Sequence, residues 1–340
     1  TEPASYAGLR NIAIGEGAND GIVDSDDIVV IGYRAGYSSA IGSDSIVIGS
    51  QASRYGTGIR SVIIGDRAGY NTSTASSRVL IGANAGYSST SISAIGIGYY
   101  ALQNSTGTGN IGIGQYAGAS DSIGGTNTFV GHEAGRYAGS NSNSNTVIGS
   151  YAGEYMGYDN TGTYRNVLIG RSAAAGYVTA GYDHLGSDNV IIGALALEYG
   201  NENVDQCVYI GGEAGGAGST TAARGSGENC IVIGYQAQST SNTVTNEITL
   251  GNSSISTLRC QVTSITSLSD ERDKSNIQDS NYGLNIIEKL RPVTFEWNQR
   301  DGKRVGVKEV GFIAQELQQV DDDYLGLVYD ENPDKLEAAQ

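Results

Sequence analysis

Side chains that could do chemistry are sparse in this 340-residue chain. With only two histidines, His132 and His184, a hydrolase triad or a histidine metal site is not expected. Paired carboxylates in a groove could cleave a glycosidic bond. The candidates, Asp26-Asp27 and Glu198 with Glu202, recur nowhere in the repeat frame described below and read as turn and loop acids. Cys207, Cys230 and Cys260 are too few for a disulfide scaffold and lack metal-ligand spacing. Gly112-Ile113-Gly114 carries no dinucleotide fingerprint, since no βαβ unit follows it. The sequence also holds Ser269-Asp270-Glu271-Arg272-Asp273-Lys274. A serine hydroxyl is a weak nucleophile until a base takes its proton, and a lysine can act so once burial or nearby cations lower its pKa. Arg272 is placed either to supply that cation or to pair with Asp270 or Asp273. The bland alternative is a charged, solvated loop. No cofactor and no metal is expected.

The elements around these residues follow a repeat. Fourteen times, from Gly15 to Gly251, a short β-branched run and an aliphatic residue end in Gly, as in Ile28-Val29-Val30-Ile31-Gly32. The steps are 16 to 18 residues up to Gly149 and reach 23 afterwards. A period of this size marks a solenoid. The residue before Gly is Ile in twelve repeats, with Val130 and Leu250 as exceptions, and the third before it is always Val, Ile or Thr. These two share one face of an extended strand. The residue between them is also largely apolar, so both faces are expected to be buried, one inside the coil and one against a neighbouring chain. Ala stands three after Gly in thirteen repeats, a space-limited slot at a corner or a chain–chain contact. Asn recurs four before Gly (Asn11, Asn110, Asn127, Asn145, Asn166, Asn189), which predicts an amide ladder running along the coil. Cys207 and Cys230 occupy the same slot and read as small apolar fillers rather than a disulfide. Tyr37, Tyr70 and Tyr87 follow Ala-Gly and read as a packing ring, with a ligand-stacking surface as the alternative. One rung is expected to hold two short strands.

Composition divides the chain near residue 268. Residues 1–268 contain no Lys, 11 Arg, 20 acidic residues and 45 of the 50 glycines; residues 269–340 hold all five Lys and 16 acidic residues. The net charge of −16 argues against nucleic acid or an anionic membrane as partner, and no apolar run is long enough to span a bilayer. No signal-peptide pattern opens the sequence, and with Thr1 first the chain is expected to be a fragment or a processed product.

The repeats resemble the heads of trimeric autotransporter adhesins, and more closely the Ile-Gly-x-x-Ala-Gly-Tyr arrays in tail fibres of phages and large viruses. That resemblance implies a mainly β fold: a trimeric β-roll or β-solenoid shaft over 1–258, with a junction at 259–268. Beyond it, apolar residues at 284, 287 and 290 predict a helix over 282–290, ended by Arg291-Pro292. Val293–Asn298 alternates as a strand, and 310–317 is apolar enough for a strand running into a helix. The Ser-Asp-x-Arg-x-Lys box at 269–274, Asn276-Ile277, Leu290-x-Pro292-Val293, Phe295-x-Trp297 and Gly311-Phe312-Ile313-Ala314-Gln315-Glu316 resemble the intramolecular chaperone of the peptidase S74 type. The resemblance implies a small α+β chaperone domain over 269–340, with Ser269 as nucleophile, Lys274 as general base and Leu268–Ser269 as the scissile bond. Such chaperones usually continue into long trimerising helices. This chain ends at Gln340, so the domain is expected to be incomplete and an uncleaved form to be an outcome.

The function these readings imply is a homotrimeric fibre segment on a virion, extracellular, joined to other fibre proteins and reaching a host surface receptor, glycan or protein. A near-identical array can slip by one repeat at little local cost, so a separate trimeric clamp that sets register has a physical purpose. A bacterial adhesin head and a glycan-cleaving spike are the alternatives.

Overall fold

The computed structural model describes residues 9–20, 25–38, 41–56, 58–72, 76–120, 122–158, 162–176, 185–198, 204–216, 227–241, 244–259, 275, 277, 283–298 and 306–320. The chain divides into two compact units, Thr1–Arg259 and Cys260–Gln340.

The first unit is a parallel β-solenoid. Fourteen three-residue strands, from Ile12–Ile14 to Ile248–Leu250, pair in chain order into one sheet. Every pair keeps the same phase, for example Val62↔Val79, Ile63↔Leu80 and Ile64↔Ile81. Each strand ends at a repeat glycine, as the period predicts.

The middle residue of each strand points into the coil. Val30, Val47, Leu80, Phe129, Val147, Leu168, Ile191, Tyr209 and Val232 are all 0% exposed. Burying such side chains contributes roughly 1.5–3 kcal/mol each. Two rungs lack this side chain, at Gly96 and Gly112, and Leu102 reaches in from a turn to fill the space. A Cβ on Gly112 would lie 2.8 Å from Leu102 Cγ. The recurrent alanine is also interior: Ala35, Ala52, Ala68 and Ala85 are fully buried, and the Ala35 N–H closes a turn onto the Gly32 carbonyl at 3.3 Å. The alanine slot is therefore filled by this chain's own rungs.

The flanking residues of each strand face outward, on the side expected to lie against a neighbouring chain. Ile12, Ile14, Ile46, Ile113, Ile148 and Ile233 are between 38% and 58% exposed. A row of aliphatic side chains runs along the outer face of the sheet.

The expectation of two strands per rung needs a correction. Among the described residues, the second side carries only two-residue pairs, Ser142–Asn143 with Thr163–Tyr164 and Val204–Asp205 with Gly227–Glu228, plus isolated bridges such as Ile41↔Gly58. The residue five before each glycine is left-handed (Asp27 φ 57°, Arg60 φ 52°, Ser144 φ 59°), which breaks any extended run leading into the strand. Rung-to-rung backbone bonds replace it. Gly36 N–H donates to Ala52 O at 2.9 Å, and Arg34 N–H donates to Glu16 O at 2.8 Å.

In the second unit, helix Leu284–Ile287 is shorter than the predicted nine residues. Strand Val293–Glu296 pairs antiparallel with Lys308–Gly311, and helix Ala314–Val320 follows.

Candidate functional site

Leu268, Ser269 and Lys274 lie outside the described residues, as do His184, Glu202 and Cys260. What is described is the frame built by the other motif residues of the second unit. The strand register sets Val293 opposite Gly311 and Phe295 opposite Glu309. Phe295 meets Trp297 edge to face at 5.2 Å, and Trp297 Nε1 donates to Glu309 Oε2 at 2.8 Å. Arg291, just before Pro292, forms a two-pronged pair with Glu316: Nε donates to Oε2 at 2.9 Å and Nη2 to Oε1. The hydrogen bonds from Arg291 hold the Glu316 carboxyl below its ordinary range. The Leu-x-Pro-Val, Phe-x-Trp and Gly-Phe-Ile-Ala-Gln-Glu segments, separated in sequence, are thus one small framework.

Two of the acids weighed as catalytic candidates, Asp26 and Asp27, join rungs of the solenoid. Arg10 Nη2 donates to Asp27 Oδ2 at 2.7 Å, and Asp26 Oδ1 accepts from the Leu9 N–H at 2.6 Å. Hydrogen bonding to Arg10 lowers the Asp27 pKa. His132 stands 3.5 Å from Glu133 and edge-on to Tyr151. Among the described residues, no cluster of His, Cys, Asp and Glu could hold a metal, and no helix is long and apolar enough to cross a membrane.

The predicted amide ladder is present from Asn110 to Asn189. Asn127 Oδ1 accepts from both the N–H and Nδ2 of Asn145 at 3.0 Å, and Asn145 Oδ1 does the same for Asn166. Cys207 continues the column by donating its N–H to Asn189 Oδ1 at 2.9 Å. Both described cysteines are buried free thiols, and burial pushes the Cys207 thiol up to about 11. One interior occupant of this column was not singled out from the sequence. Arg78 is 1% exposed, donates to Thr72 Oγ1 at 3.1 Å, and is driven down to about 10 by desolvation. It lies in the asparagine frame of the repeat, which is the signal that could have found it.

The solenoid surface carries ring stacks. Tyr70 and Tyr87 stack at 4.9 Å and 3°, and the Arg54 guanidinium lies 5.0 Å from the Tyr55 ring centroid. A second group, on the turns after Gly98, Gly114, Gly131 and Gly149, escaped the sequence reading. It combines Tyr99, Tyr100, Tyr116, Tyr137 and Tyr155 with Arg136, Glu133 and Glu154.

Residues 269–326 match the family model of peptidase S74, described as the chaperone of endosialidase. Searches of curated proteins and of solved structures find no match to the chain. A parallel β-solenoid followed by a chaperone-type region is the layout of a fibre-like protein.

Proposed function

We propose that this chain is a segment of a homotrimeric viral tail fibre or virion fibre, assembled by a self-cleaving intramolecular chaperone at its C-terminal side. The observation that carries the reading is a β-solenoid with an uncovered aliphatic row along its sheet, followed by a chaperone-family match that starts at Ser269. Three copies meeting along that row remove it from water, and each fully buried Ile is worth roughly 1.5–3 kcal/mol. The fibre is extracellular on the virion, adjoins other fibre proteins and reaches a host surface receptor.

The cleavage proceeds through Ser269 itself. Its Oγ attacks the Leu268 carbonyl carbon while Lys274 takes the hydroxyl proton. The tetrahedral centre collapses with loss of the Ser269 nitrogen, which receives that proton, and leaves an ester between Leu268 and Ser269 Oγ. Water hydrolyses the ester to a Leu268 carboxylate and a free Ser269 hydroxyl. The reaction happens once per chain.

Intact-mass measurement on the purified full chain tests this. The expected result is two fragments divided after Leu268, with Ser269→Ala and Lys274→Ala remaining whole. Sedimentation equilibrium is expected to return three copies; a monomer would refute the fibre reading, and a Ser269→Ala chain that still divides would refute the mechanism.

A further inference from the structure

The second ring cluster is not required by the fold that carries it. Tyr100, Tyr116 and Tyr151 sit two residues after a repeat glycine with φ of 56°, 56° and 60°. That left-handed conformation is unfavourable for a bulky side chain, and other rungs meet it with Asn84, Gln51 or Glu133. The position after the glycine is equally permissive, holding Tyr99 in one rung and Ala83 or Gln115 in its neighbours. Turn geometry asks for no aromatic ring here.

The rings nevertheless form a continuous ridge. Tyr100 and Tyr116 stack at 5.3 Å and 4°, with Tyr99 edge-on to both at 4.4 and 5.5 Å. The Arg136 guanidinium lies 4.4 Å from the Tyr116 centroid and 4.8 Å from that of Tyr137. Tyr137 then stacks on Tyr155 at 4.8 Å. The Tyr100–Tyr116 and Tyr137–Tyr155 spacings follow the rung repeat, because parallel strands lie roughly 4.7–4.9 Å apart. Tyr99 and Tyr158, at either end, are 44% and 47% exposed.

Fixed polar groups sit beside the rings. Arg136 Nη1 pairs with Glu133 at 2.8 Å, and the Glu154 carboxyl is near enough to Glu133 for the two to influence each other's charge. The combination of apolar ring faces, phenol hydroxyls, a guanidinium fork and two carboxylates suits a ligand that alternates C–H faces with hydroxyls. A linked chain of pyranose sugars does so. The two carboxylates disfavour an anionic chain, whereas neutral hydroxyls can donate to them.

We propose that this ridge, centred on Tyr100, Tyr116, Arg136, Tyr137 and Glu154, is a binding surface for a neutral polysaccharide. The proposal rests on the reading of the chain as a host-contacting fibre and names the class of its receptor.

Affinity electrophoresis of the full chain tests it, in gels containing dextran, mannan, xylan or mixed-linkage β-glucan, with alginate as the anionic arm. The test variants are a Tyr100→Asn/Tyr116→Asn double, which suits the left-handed turn as Asn84 does, and Arg136→Gln. The expected result is retardation in at least one neutral gel, weakened tenfold or more in the double variant and also weakened in Arg136→Gln. Melting temperature and sedimentation should be unchanged. Should the double variant melt early, Arg136→Gln alone decides. Four results overturn the proposal: no retardation in any neutral gel, retardation only in alginate, retardation that neither variant weakens, and loss accompanied by dissociation, which would make the ridge a chain–chain contact. Sedimentation and the Leu268 cleavage products of the same preparation report separately on the fibre reading, so the two can fail independently.

Discussion

Replacing Asn145 with Ala removes the centre of the buried amide column and tests whether that column holds the rungs together. The side chain makes four hydrogen bonds: Oδ1 accepts from Asn166 N–H and Nδ2, both at 3.0 Å, while Nδ2 donates to Asn127 Oδ1 at 3.0 Å and Thr163 O at 2.9 Å. Asn127 Oδ1 keeps the Asn145 backbone N–H, and Asn166 Nδ2 keeps Gly186 O. The Asn166 N–H and the Thr163 carbonyl lose the bond that Asn145 gave them. A buried polar group left unsatisfied costs about 1–3 kcal/mol, so the pair predicts a loss of roughly 2–6 kcal/mol. Steric clash adds nothing, because Ala94 already fills the same slot in another rung, fully buried. At about 2–4 °C per kcal/mol for a unit of this size, a mid-range loss of about 4 kcal/mol lowers the melting temperature by roughly 8–16 °C. The assay is thermal unfolding followed by far-ultraviolet circular dichroism, on the Ser269→Ala background so that chain length is constant. Asn145→Ala/Asn166→Ala should cost less than the two single variants added together, since they share a bond. A loss below about 1 kcal/mol, or strict additivity, would refute the view that the column is a cooperative stabilising element.

Three further outcomes follow from single positions. Gly65→Ala should prevent stacking of its rung and cost more than about 4 kcal/mol, seen as loss of soluble folded protein: φ is 139° and a Cβ would stand 2.4 Å from the Gly82 carbonyl oxygen. Tyr209→Phe should leave stability unchanged or raise it by about 1 kcal/mol in a denaturant titration, because the buried Tyr209 hydroxyl has no hydrogen-bond partner among the described residues. Glu154→Gln should raise the melting temperature at about pH 7 and give no gain at about pH 3.5. Burial, and next the neighbouring Glu133, raise the Glu154 pKa, so its contribution is present when the carboxyl is protonated below the unfolded value and is lost as pH rises through the folded one. An equal gain at both pH values would point to packing rather than charge.

Much of the fold was legible in the residues. Only glycine can hold φ near 139° where a Cβ would stand 2.4 Å from the next rung's carbonyl oxygen, so Gly65 and its equivalents reveal the period directly. The alanine slot and the asparagine column were legible for a similar reason, since a buried site that admits one size or one hydrogen-bond pattern repeats it along the coil, Ala in thirteen rungs and Asn in six. The chaperone-type segment was legible from separated motifs that the Arg291–Glu316 pair and the Val293–Gly311 register then bring together. The Ser269–Lys274 pairing stands on the sequence alone.

What only the tertiary structure decided is orientation. Ile31 and Val30 are both aliphatic, and a strand apolar on both faces does not say which face is inside. The coil answers by burying Val30 completely and leaving Ile31 half-exposed. Left-handed residues such as Asp27 and Arg60 removed the second strand, because a non-glycine residue adopts that conformation only where surrounding turns compensate. The same stacking put Arg78 inside and lined Tyr100, Tyr116, Arg136 and Tyr137 into one ridge. Residues some 16 to 20 apart become neighbours only when rungs stack, and that distance is set by the coil rather than by any local preference.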